Sequence, residues 1–274
     1  MPINLEVVID TKDYEVDMKA GLETLQGVSE ATLSIAETLV TGKVSLRHRG
    51  ISSVRTILKK TFNGSYGQGF TFEISDEDLQ KEYRKIGNQT FAELMSYFMK
   101  ESLYIESTEL SVKAQKIVEN LGDSAEDLIK KLRVSSMEDI HKISTKFDHD
   151  VKIRHRKSLN DRVVIASFNK STVLALQAKE SDSNIDITAS ITRLNINTGN
   201  GRLLLQGADE TVAFGFGIEY KEVRIEAKKK FSENLDYNNG IDSSKWKNLK
   251  IVARPIKLRD GKIVKYIVKG FYND

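Results

Sequence analysis

Apolar and polar residues alternate most clearly from Ile185 to Phe216, where Ile185, Ile187, Ala189 and Ile191 fall at every second position and Leu194 and Ile196 continue the run. The run breaks at Asn197-Thr198-Gly199-Asn200-Gly201 and resumes in Leu203-Leu204-Leu205 and Val212-Ala213-Phe214. A period of two predicts strands with one buried face, and the glycine-rich break predicts the turn between the first two. Two more apolar runs, Leu249 to Leu258 and Ile263 to Phe271, flank Arg259-Asp260-Gly261. Asp-Gly in that setting predicts a hairpin. Between the third and fourth strands, Glu219 to Leu235 reads as a charged helix whose apolar positions, Val223, Ile225, Ala227 and Phe231, are too few for burial. Lys228-Lys229-Lys230 then faces solvent. Five strands with a helix between the third and fourth is the element order of an OB-like barrel, with an SH3-like barrel as the alternative.

The chain before this module is patterned differently. Ile3 to Asp10 alternates and is β-branched, which predicts a strand. Asp17 caps a long helix in which Met18, Leu22, Leu25, Val28, Leu33, Ala36, Leu39 and Val40 recur every three or four residues, and Gly42 stands where a C-terminal cap belongs. Ser53 to Ile74 reads as a hairpin turning at Asn63 to Gly69, with Phe70, Phe72 and Ile74 on one face. Helical spacing then dominates. A capping box of Ser75 and Asp78 opens one helix, Phe91 to Met99 forms the next, and further starts fall near Ser107, Ser124 and Ser135 or Ser136, with Gly122 separating two of them and the last helix ending near Phe147. Lys152 to Lys157 is read as a linker or an edge strand, and Arg162 to Phe168 with Ser171 to Ala178 as a hairpin. The expected fold is α+β: an N-terminal α/β layer with a helical extension over 1–150, and a small C-terminal β-barrel over 151–274.

A length of 274 residues suits two domains of ordinary size. Residues 1–150 carry 19 Lys and Arg against 25 Asp and Glu, and residues 151–274 carry 23 against 14. An acidic first domain and a basic second one direct any polyanion to the second, or let the two halves attract each other. The chain has no cysteine, which removes disulfides and thiolate chemistry and fits a reducing compartment. No stretch approaches the roughly 18 apolar residues of a membrane span, and the first residues lack the form of a signal peptide. A cytoplasmic protein without membrane contact is expected.

Catalytic motifs for acyl transfer, zinc proteolysis, nucleotide phosphate binding and dinucleotide binding are absent, so no cofactor is expected and the reading is non-enzymatic. The glycines from Gly64 to Gly69 lie between strands and have no helix N-terminus to offer a phosphate. One constellation points to catalysis: Asp209 followed by Glu219 and Lys221 has the form of a metal-dependent nuclease, two carboxylates for a divalent ion and a lysine for the attacking water. Asp148, His149, Asp150 and His155, with His141 nearby, are a second candidate metal cluster. Nucleic-acid binding rests on basic residues interleaved with aromatic ones, chiefly Arg193, Arg202, Lys228, Lys229, Lys230, Trp246 and Arg259, with Phe214, Phe216, Tyr266, Phe271 and Tyr272 among them. Arg193 and Arg202 flank the Asn197 to Gly201 turn and would form a phosphate clamp if they share a face.

Ile191-Thr192-Arg193-Leu194-Asn195, Thr198-Gly199-Asn200-Gly201-Arg202-Leu203 and Gly261-Lys262-Ile263-Val264-Lys265-Tyr266 together resemble the C-terminal barrel of uncharacterised two-domain bacterial proteins, and Leu22 to Gly42 resembles their leading helix. The resemblance implies an accessory protein of mobile-element or phage-defence loci and supplies no functional residues. Three functions follow as expectations: nucleic-acid binding through the basic barrel, a protein-binding adaptor or homo-oligomer joined by charge, and a nuclease using Asp209, Glu219 and Lys221.

Overall fold

The computed structural model describes residues 3–45, 53–62, 65–158 and 160–272, and the chain forms two compact units, Met1–Leu176 and Gln177–Asp274. The first unit runs β1 (Leu5–Ile9), α1 (Met18–Thr41), β2 (Val54–Phe62), β3 (Tyr66–Ile74), α2 (Glu77–Ile86), α3 (Asn88–Ser102), α4 (Val112–Leu121), α5 (Asp123–Val134), α6 (Ser136–Ile140), α7 (Lys142–Phe147), β4 (Val151–Arg156), β5 (Arg162–Phe168) and α8 (Lys170–Val173). Local chemistry sets the ends of α1: Asp17 accepts from the Ala20 amide at 2.8 Å, and Gly42, at φ 71°, closes the last turn onto the Thr38 carbonyl. At α2 the cap is Asp76 rather than the expected Ser75, because the Asp76 carboxylate reaches the Asp78 and Leu79 amides. Of the turn expected at Asn63 to Gly69, Asn63 and Gly64 lie outside the described residues, and β3 has already begun at Tyr66.

The five strands pair antiparallel in the order β2-β3-β1-β4-β5. β1 is central. Its residues Leu5, Val7 and Ile9 join Val28, Ile35, Phe70, Phe91, Leu128 and Ile140 in one core, where the rings of Phe72, Tyr83 and Phe91 meet with centroids 4.9 to 5.5 Å apart. The opposite face of β1 presents Glu6 and Val8, across from Arg154 and Lys152 of β4.

This pairing corrects the expected boundary at 150/151. Lys152 to Lys157 is neither a linker nor an edge: β4 lies between β1 and β5, with Val151, Ile153 and His155 buried and the cations between them on the outer face. Nor does Ser171 to Ala178 form a strand. Asn169 caps α8 through the Ser171 and Thr172 amides, Thr172 returns a bond to the Asn169 amide, and a 3-10 turn follows over Leu174–Gln177. Ala175 packs into the first core, so the first unit ends there.

The second unit comprises β6 (Lys179–Glu180), β7 (Ile185–Leu194), β8 (Gly201–Leu205), β9 (Thr211–Gly215), α9 (Ile225–Asn238), β10 (Leu249–Lys257) and β11 (Ile263–Phe271). The strands close as β7-β8-β9-β11-β10-β7, antiparallel throughout except for the parallel pair β9 and β11. A five-stranded barrel with that single parallel pair, and a helix between its third and fourth strands, has OB-fold connectivity.

α9 is more buried than its pattern predicts. Phe231 is fully enclosed against Phe214 and Phe216, at 5.4 and 5.1 Å, and plugs the barrel. Polar docking completes the contact. A bulge in the β7–β8 ladder falls between Ile191 and Arg193, and the Ile191 amide donates to Asn234 Oδ1 at 2.8 Å, while Asn234 and Asn238 both donate to the Lys247 carbonyl. A few large anchors with satisfied amides can hold a helix that has only a narrow apolar stripe.

Helix α1 crosses α6 so closely that a Cβ on Gly27 would lie 2.6 Å from the Ile140 amide nitrogen and 2.8 Å from the Ser136 carbonyl oxygen. Backbone cannot yield as a side chain does. Gly27→Ala is therefore expected to lower unfolding stability by about 1–3 kcal/mol despite its better helix propensity, as measured by denaturant unfolding; an unchanged or raised midpoint would show that the crossing relaxes.

Candidate nucleic-acid interface

The barrel registers place Arg193 of β7 opposite Arg202 of β8, Arg202 opposite Ala213 of β9, and Ala213 opposite Lys265 of β11. Residues paired across a sheet share a face, and their neighbours Leu203, Phe214 and Tyr266 are in the core, so this row faces outward. The expected sharing of a face by Arg193 and Arg202 is present, and Lys265 joins them. Arg202 is not a free arm, however. Only 5% exposed, it donates from Nε to Thr211 Oγ1 at 2.7 Å and from Nη2 to the Thr211 carbonyl at 2.9 Å. Its charge is fixed in the wall, and Arg193 and Lys265 stand beside it.

The loop from 195 to 200 packs onto this row. Lys265 Nζ donates to Asn200 Oδ1 at 3.0 Å, and a Cβ on Gly201 would lie 2.0 Å from the Arg193 carbonyl oxygen. Gly199, at φ 70°, lies so close to Tyr220 that a Cβ would meet the ring at 2.2 Å. Lys228 Nζ lies 4.8 Å from the centre of the same ring. Burial raises the Tyr220 pKa, so the ring is a neutral spacer between the loop and that ammonium at neutral pH. Arg193, Arg202, Lys265, Asn200, Gly199, Tyr220 and Lys228 thus form one continuous path.

The remaining candidates scatter. Lys228, Lys229 and Lys230 are successive helical positions, about 100° apart around α9, and cannot present one patch. Trp246 is half-buried and donates its indole N–H to the Ile241 carbonyl at 2.9 Å, with Lys247 Nζ 3.8 Å from the neighbouring Tyr237 ring. Arg259 is exposed on the turn between β10 and β11, at the far end of the barrel from the 195–200 loop. Phe214 and Tyr266 are inside the barrel and cannot stack on bases.

Asp209, Glu219 and Lys221 are not assembled into a nuclease centre. Asp209 precedes β9 and Glu219 follows it, so the two bracket that strand. Glu219 instead pairs with Lys221. The histidine cluster is also dispersed: Asp148 pairs with Lys170 at 3.1 Å, His155 is buried in β4, and the Asp150 carbonyl accepts from the Asp10 amide. Among the described residues no group of three His, Asp or Glu side chains could hold a metal ion.

With the boundary at 176/177, residues 177–274 hold 17 Lys and Arg against 13 Asp and Glu, and residues 1–176 hold 25 against 26. The charge asymmetry expected from the sequence shrinks because the cations of β4 and β5 belong to the first unit. Only the parallel register of β9 and β11 brings Lys265 to Arg202, whereas Asn200, two residues before Arg202, enters the site through its bond from Lys265. Comparison of the chain with protein-family models, curated proteins and solved structures returned no match.

His141 is fully enclosed, with Nδ1 2.6 Å from the Met137 carbonyl, Nε2 2.8 Å from Thr172 Oγ1 and its ring edge-on to Phe168. Burial lowers its pKa. His155 is lowered too, by burial first and then by Lys157. The unfolded chain therefore binds protons that the folded chain does not, so stability is full above the ordinary histidine pKa of about 6.5 and falls as the pH drops below it. Chemical denaturation at pH 7.5 and 5.5 should show this loss, reduced but not abolished in His141→Gln because His155 remains. An equal loss in both proteins would assign it elsewhere.

Proposed function

We propose that the barrel binds nucleic acid, single strands in preference to duplex, by gripping backbone phosphates on the outward face of β7, β8, β9 and β11. The observation that carries this reading is the cross-strand row Arg193, Arg202, Ala213, Lys265, in which three cations stand on neighbouring strands and no acidic residue occupies a register position. A polyanion lying along this row would meet charged donors at several points and release its counterions there. OB-type barrels bind oligonucleotides on this same face, bounded by the loops between the first two and last two strands. Here those loops carry Asn200 and Arg259. With the core aromatics enclosed, binding depends on phosphate contacts more than on stacking, which implies micromolar affinity, weak sequence preference and strong salt dependence.

A protein-binding role has its own support in the first unit. A cleft of about 320 Å³ between α1 and the sheet is lined by Val7, Leu22, Leu25, Val28, Leu58 and Phe70. Beside it Leu58, on the edge strand β2, is 65% exposed and Met18 is 77% exposed. An apolar cleft beside a strand edge is a surface that self-association or an adaptor contact would cover. It supports that reading better than head-to-tail charge attraction, since the first unit is nearly neutral.

Fluorescence anisotropy of the full chain with a labelled single-stranded 12-mer at two salt concentrations tests the barrel reading. Arg193→Ala/Lys265→Ala is expected to weaken binding about tenfold at low salt and to reduce the salt slope by about 1.4, two phosphate contacts of a single strand. Absence of binding at low salt, or full affinity in the double variant, would overturn it; concentration-dependent sedimentation abolished by Leu58→Asp would then support the adaptor.

A further inference from the structure

The outer face of the first unit's sheet holds a second concentration of positive charge, built around one buried carboxylate. Glu6, the second residue of β1, is 2% exposed. Arg154 Nη2 lies 2.9 Å from its Oε2, and Arg162 Nε and Arg156 Nε lie 3.3 and 3.9 Å from its Oε1. One guanidinium neutralises a carboxylate, so three leave about two positive charges in excess. Arg156 and Arg162 are also direct cross-strand partners, an unfavourable placement for like charges in the absence of more anion. Of the other acids nearby, Asp10 pairs with Lys152 and Glu73 with Arg55, while Asp161 directly precedes Arg162 in the turn from β4 to β5.

The surroundings hold these groups in place. Arg154 lies over the Phe62 ring, 5.5 Å from its centre, and Phe62 occupies the space above Gly67. Gly69 stands opposite Glu6, and a Cβ there would lie 3.1 Å from the Lys60 carbonyl oxygen, so the backbone of β2 forms the floor. Arg154 Nε is buried and has no hydrogen-bond partner. Arg156 reaches Glu6 only beyond hydrogen-bonding distance, so its planar fork keeps its donors.

From this geometry we infer that the outer face of the β1-β4-β5 sheet is a phosphate-binding site, in which Arg156 and Arg162 grip a phosphoryl group and Arg154, held by Phe62 and Glu6, supplies fixed positive charge. Rigid strands present all three guanidiniums, and planar forks match phosphate oxygens in pairs. The phosphoryl group belongs either to a small phosphorylated molecule or to a nucleic-acid backbone. The site is on a different unit from the barrel face and does not rest on the reading given for it.

Calorimetric titration of the full chain at low salt with inorganic pyrophosphate, and separately with an unphosphorylated oligothymidylate of eight nucleotides, tests the inference. Pyrophosphate binding that Arg156→Ala/Arg162→Ala weakens at least about tenfold, and that Arg193→Ala/Lys265→Ala leaves unchanged, is the expected result for a small phosphorylated ligand. Oligothymidylate binding with the same dependence on Arg156 and Arg162 assigns the site to a backbone. Arg156→Lys/Arg162→Lys keeps both charges and the fold while removing the planar forks, and should weaken binding several-fold. No binding of either anion, or binding indifferent to both pairs of substitutions at Arg156 and Arg162, would overturn the inference.

Discussion

Strand β1 is the constraint on which the first unit depends. Its five residues are all buried, and its two edges are hydrogen-bonded to β3 and to β4, so neither flanking hairpin belongs to a complete sheet without it. One face of β1 carries the apolar residues that α1 and its neighbours cover; the other carries the carboxylate that gathers the arginines of β4 and β5. A buried acid is tolerable only when its partners are in place. Glu6 therefore ties the register of β4 against β1 to electrostatics as well as to hydrogen bonding, since a one-residue slip would move Arg154 to the apolar face.

The barrel works by closure instead. Parallel pairing of β9 with β11 joins the last strand to the third, and Phe231 from α9 fills the end of the interior. Closure removes edges and leaves the outer surface as the place where chemistry can vary. There the chain places cations on three of four consecutive strands, two of them held by Thr211 and Asn200. In the other unit Arg156 and Arg162 are direct cross-strand partners, a local conflict with a pairing rule of the kind that tends to mark a functional surface.

Much of this architecture is legible in the residues. Asp17 and Gly42 bound α1, Asp-Gly turns β10 into β11, and the alternation from Ile185 onward gives three barrel strands in order. The domain boundary is not so legible. Lys152 to Lys157 looks like a polar link because its cations dominate the composition, yet Val151, Ile153 and His155 alternate with them, the mark of a strand with one buried face. Asn169 with Thr172 is a capping pair that outweighs the apolar run after it. Site geometry was legible only in part. Arg193 and Arg202 are joined by a short turn and meet as expected, whereas Lys265 reaches them by a parallel register that no local pattern encodes. The spacing from Asp209 to Glu219 has the form of a metal pair, yet the two bracket β9 and Glu219 pairs with Lys221.

The two units also differ in when their partners become available during synthesis. Every barrel strand pairs within 177–274, but Ile9 pairs with Val151. At ordinary elongation rates of about 5–20 residues per second, β1 precedes β4 by on the order of ten seconds. During that interval β1 can pair with β3 and α1 can cover its apolar face, while the edge destined for β4 stays open along Leu5-Glu6-Val7-Val8-Ile9. An apolar, β-branched edge is the kind of segment that joins a neighbouring chain when left unpaired. Glu6, unpaired until Arg154 arrives, places a charge within that edge and acts as its gatekeeper. The residue that anchors the finished sheet thus also protects the unfinished one.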